Sequence, residues 1–133
     1  MKVNEQKKLE TYRFKIVKGE KQQDGKIEKS YQAGVAILLE GQPNYSLHLY
    51  MLQNEEFFLV PHKKDPERYF IMTRQPTKNP YKRAKYSWNI VGLAKTNCRQ
   101  GCIELYFDLF NVPLYMSIFP QGNSIAHELK LAA

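Results

Sequence analysis

The sequence predicts a mainly β protein: an antiparallel meander of about seven to eight strands, barrel or sandwich, with a short C-terminal helix. Three observations predict it. Stretches of apolar/polar alternation recur at a spacing of roughly 8–12 residues. Turn-forming clusters such as Asp24-Gly25, Gly41-Gln42-Pro43-Asn44 and Pro120-Gln121-Gly122-Asn123 separate them. No strand and helix patterns alternate, so a parallel α/β sheet has no support.

Residues 1–10 read as a polar, flexible leader, and residues 11–133 as one β-rich domain. From Thr11, Tyr12, Phe14 and Ile16 point one way and Arg13 and Lys15 the other, the period of a half-buried strand. Gly19–Lys26 reads as a polar loop. Ser30–Glu40 is the second strand, and its apolar run Val35–Leu39 predicts burial on both faces. Tyr45–Gln53 returns as an antiparallel partner, and Phe57–Val60 is a short strand. Pro61–Glu67 is a loop, Arg68–Arg74 a strand and Gln75–Lys85 the longest loop inside the fold. Tyr86–Lys95, Cys102–Leu109 and Leu114–Phe119 complete the strands. Ser124 is a good N-cap for a helix carrying Ile125, Leu129 and Leu131.

Composition bounds the function. The chain has 133 residues, 43% of them hydrophobic, which is enough for one core. Nine Tyr and seven Phe argue against disorder, because such rings supply buried area that offsets chain entropy. No apolar run is long enough to span a bilayer as a helix, and the polar start lacks a signal-peptide core. The expected location is cytoplasmic, with secretion by a signal-less route left open. Cys98 and Cys102 are too few for a disulfide framework or a structural zinc site, and His48, His62 and His127 show no ligand spacing. The sequence therefore predicts no metal and no cofactor. Gly-rich phosphate loops, G-x-S-x-G and H-E-x-x-H are all absent. Glu104 and Asp108 read as solvent-facing carboxylates on a strand, so the expectation is a non-enzymatic protein.

Charge is the strongest functional signal. The net charge is +7, and residues 61–100 carry ten Lys/Arg against two acids, a local +8 that exceeds the whole chain's net charge. Segregation of this kind makes a directional field for an anionic partner. Cations here interleave with rings, the pairing that phosphate neutralisation and base stacking require. The expected nucleic-acid or anion-binding residues are Lys63, Lys64, Arg74, Lys78, Tyr81, Lys82, Arg83, Lys85 and Tyr86, on the Pro61–Arg68 and Gln75–Lys85 segments. The expected partner is single-stranded or structured nucleic acid. The competing account of the same residues is a solvated basic surface that shields strand edges.

Three other readings come from the residues. Phe57-Phe58 and Phe110–Val112, together with exposed strand edges, would serve a protein–protein module such as a regulator, a mobile-element accessory or a secreted effector, and edge pairing would give a homodimer. Arg13, Lys15, Lys18, Lys21, Lys26 and Lys29 flank the first hairpin loop. With a β meander and a closing helix, this layout resembles pleckstrin-homology domains, and the resemblance implies binding of anionic lipid. Finally, a three-residue turn at Arg99–Gly101 would set Cys98 and Cys102 face to face, with Cys102 exposed.

Overall fold

The computed structural model describes residues 10–78, 81 and 85–121. Eight antiparallel strands follow in chain order: β1 (Thr11–Lys21), β2 (Ile27–Leu39), β3 (Tyr45–Leu49), β4 (Phe57–Pro61), β5 (Arg68–Pro76), β6 (Tyr86–Asn97), β7 (Cys102–Phe107) and β8 (Leu114–Ser117). Each pairs with its neighbour, and β1 pairs with β8 through Ile16–Met116, Val17–Tyr115 and Lys18–Leu114, so the sheet closes into a barrel. Closure decides between the two predicted architectures. The expected C-terminal helix and residues 1–9 of the leader lie outside the described residues.

Period-two alternation fills the barrel. Phe14, Ile16, Ala36, Leu47, Leu59, Ile71, Ala94, Leu105, Phe107 and Met116 point inward, so every strand contributes to one core. Val35–Leu39 differs from expectation: Ala36 is buried, Val35, Ile37 and Leu38 are half-buried and Leu39 is exposed. Among the described residues no second layer covers the outside of β2 there. Several strand ends also move. β1 continues to Lys21 and β5 to Pro76, which shortens the long loop to 77–85, and β3 stops at Leu49 before a 3₁₀ turn at Tyr50–Leu52. Leu109 lies beyond β7 and is exposed.

Two of the hairpins are long and bent. The β1–β2 ladder shifts register between Ile16 and Val17, beside Gly34, and the β5–β6 ladder between Ile71 and Met72, beside Gly92. A β-bulge increases local twist and turns a strand across a barrel corner. The glycines are required by close approach: a Cβ on Gly34 would overlap the His48 carbonyl oxygen, and one on Gly92 the Tyr106 carbonyl oxygen. Past its bend, the β1–β2 hairpin folds over the outside of β7 and β8. Val17, Cys102 and Tyr115 form a small second core there, with Ile27 packed on it.

Successive connections in such a meander emerge at opposite ends. Residues 50–56, 77–78, 85 and 108–113 lie at one end; 40–44, 62–67 and 98–101 lie at the other. The two basic loops predicted to act together are thus separated by the length of β5, about 30 Å for nine residues.

Candidate nucleic-acid interface

The outer face of β4, β5 and β6 carries a platform of rings. Leu59 and Ile71 point into the core, so their neighbours Phe58, Phe70, Met72 and Arg74 point out. Register aligns Phe58 with Met72 and Ile90, Phe70 with Leu93, and Arg74 with Trp88. The bulge at Ile71/Met72 keeps Trp88 and Ile90 on this face while turning Gly92 inward beside Ile71. Trp88 is 44% exposed, Ile90 55% and Leu93 53%. Contiguous apolar exposure of this kind marks an interaction surface.

Arg74 organises the upper half of the platform. Its guanidinium carbon lies 4.1 Å from the Tyr86 ring centroid, 5.0 Å from Phe58 and 5.8 Å from Trp88. Its Nε also donates to Glu56 at 3.1 Å. The guanidinium thus locks three rings in place by cation–π attraction, and Glu56 balances its charge. Phe58 and Trp88 meet edge to face at 5.3 Å, and His62 stacks on Phe70 at 5.3 Å. Arg74 and Tyr86, both among the expected site residues, are therefore brought together, and Arg74 serves as the platform's clamp.

The remaining predicted residues divide by topology. Lys78, Lys85 and the 92%-exposed Tyr81 sit at the tip of the β5–β6 hairpin, beyond the platform, where Thr77 N–H donates to the Lys85 carbonyl at 2.9 Å. Lys82 and Arg83 lie outside the described residues. Lys63 and Lys64 are exposed at the other end, in a turn held by His62 Nδ1, which accepts the Lys64 and Asp65 amides.

The folded-over first hairpin adds cations that sequence reasoning did not join to this segment. Lys21 Nζ reaches Glu104 Oε2 at 2.8 Å, although Glu104 lies on β7 and is 1% exposed. Asn97 Nδ2 donates to the same carboxylate at 2.9 Å, and the Tyr106 hydroxyl donates to Oε1. Burial alone would raise the Glu104 pKa; hydrogen bonds from Lys21, Tyr106 and Asn97 outweigh it and hold the carboxyl at about 2. Burial and that same hydrogen bond push the Tyr106 hydroxyl up. Glu104 is thus not a solvent-facing acid: the hairpin covers it. The latch places Lys21 beside Lys95 and Arg99 in a depression of about 390 Å³ at the foot of β6, so the two basic segments of the chain meet there.

The cysteines are both free. β6–β7 register sets Cys102 opposite Asn97, which leaves Cys98 in the turn rather than facing it. Cys102 is buried under the hairpin instead of exposed, and burial, with Glu104 nearby, pushes its thiol up to about 11. Among the described residues no cluster of three or more His, Cys, Asp or Glu is arranged to hold a metal ion, and no helix is long and apolar enough to cross a membrane.

No protein-family model, no curated protein and no solved structure matches this chain.

Proposed function

We infer that the protein binds single-stranded nucleic acid across the outer face of β5 and β6. The observation that carries this reading is a fixed, exposed ring platform, with Trp88 and Tyr86 on it, flanked by cations at both ends of the same two strands. Lys78 and Lys85 lie at the tip, and Lys95 and Arg99 at the foot, beside the Lys21–Glu104 pair. Unpaired bases expose faces for stacking, whereas a duplex hides them, so a flat ring surface favours single strands. The cations neutralise phosphates, and Lys82 and Arg83, which follow Tyr81 in the sequence, are expected to share that role.

Trp88 is the only tryptophan in the chain, so the reading has a direct optical test. Titrating the protein with an unlabelled single-stranded decanucleotide is expected to quench its emission. Trp88→Ala is expected to weaken binding, measured by anisotropy of a labelled strand, by about 1–3 kcal/mol. Lys95→Glu with Arg99→Glu should lower the slope of log affinity against log salt by about 0.7 for each phosphate no longer neutralised. Lys82→Glu with Arg83→Glu should also weaken binding at low salt. Undiminished affinity in both charge-reversed variants, or no quenching at low salt, overturns the proposal.

Ile90 and Leu93 support a second reading, because exposed aliphatic side chains at the centre of the platform suit a protein contact better than a base. On that reading the platform meets another protein surface, a second copy of this chain included. Trp88 emission would then shift with protein concentration and ignore oligonucleotide.

A further inference from the structure

We propose that the groove between the folded-over first hairpin and the outer face of β7 and β8 binds a mononucleotide-sized phosphomonoester carrying a planar base. The groove has a volume of about 600 Å³, within the range of small-molecule sites. It lies on β1, β2, β7 and β8, away from the ring platform of β5 and β6, and does not depend on it.

Its chemistry is asymmetric. Lys15 and Lys29 line it, and among the described residues none of those lining it is an acid. Neither lysine takes part in an ion pair among the described residues. Glu104, which lies close to the lining residue Cys102, is already matched by Lys21. Among the described residues the local field is therefore positive, and it selects an anion. The floor is apolar and aromatic: Val17 and Tyr115 are buried in it, and the Phe119 ring, 68% exposed, forms part of the wall. A ring next to cations suits a ligand with a flat body and a phosphate at one end. An inorganic anion would use only the lysines, and a neutral base only the rings.

The test uses the full chain labelled with ¹⁵N and titrated separately with AMP, adenosine and inorganic phosphate. AMP is expected to move the amide resonances of Val17, Lys29, Cys102 and Tyr115, with an affinity at least about tenfold above that for adenosine or phosphate. Lys15→Gln with Lys29→Gln alters two exposed side chains and should weaken AMP about tenfold or more. The same variant should keep the quenching of Trp88 by oligonucleotide, so failure here and failure of the single-strand reading are separable. Equal affinity for AMP and phosphate, shifts confined to β5 and β6, or AMP affinity unchanged in the double variant each overturns the proposal.

Discussion

Replacing Gly92 with alanine is expected to lower the free energy of unfolding by about 3 kcal/mol or more, and Gly34→Ala should do the same. The new methyl group at either site would overlap a backbone carbonyl oxygen of the adjacent strand, Tyr106 or His48. Backbone cannot rotate aside as a flexible side chain can, so a whole strand must shift. Each glycine sits beside a register shift that turns a long hairpin across the barrel, so the displacement also opposes the bend. Urea denaturation followed by circular dichroism measures the loss. Lys95→Ala, on the exposed outside of the same strand as Gly92, is the control and should change stability by no more than about 0.5 kcal/mol. A Gly92→Ala protein as stable as that control would show that the bend does not need a glycine.

The second large effect is a loss of stability in acid that depends on one carboxylate. The folded pKa of Glu104, about 2, lies below its ordinary value of 4.5. A depressed carboxylate stabilises the fold above its unfolded pKa, and the contribution is lost as pH falls through the folded one. The window therefore runs from about pH 4.5 down to about pH 2. The contribution is about 2 kcal/mol, less than the full shift implies, because Lys21 is 44% exposed and water screens its end of the pair. Glu104→Gln should remove most of this pH dependence while keeping a side chain that hydrogen-bonds Asn97 or Tyr106. Chemical denaturation at about pH 7, 4 and 2.5 measures it. An acid-stability curve identical in parent and variant would separate the latch from the stability of the fold.

Much of the fold was legible because it rests on local rules. Alternation at Tyr12–Ile16 and at Ile103–Phe107 set the inward faces, and the turns at Asp24-Gly25 and Gly41–Asn44 set the hairpins. What escaped was strand length and bending. β1 runs to Lys21 through polar residues, because ladder pairing rather than burial holds its far end. Glu104 misled for the same reason. Period two places it on the outside of β7, which is correct, and outside reads as solvent unless something covers it. The cover is a hairpin from the other end of the chain, and no local pattern announces that contact.

The candidate site shows the same division. Sequence found the basic segment and named both Arg74 and Tyr86 as candidates, because cation and ring composition is visible residue by residue. It left Trp88 out of the expected site residues, and it joined the segments containing Lys63 and Lys82 because they are neighbours in the chain. In a closed meander, successive connections fall at opposite ends, so nearness along the chain becomes distance in space. By itself, then, the sequence determined strand identity, inward faces and charge segregation, which follow from periodicity and composition. Tertiary structure alone decided closure, the hairpin folded over Glu104 and the meeting of Lys21 with Lys95 and Arg99. Those follow from long-range pairing and from two glycine-bearing bends, and their energy depends on which distant residues the barrel brings into contact.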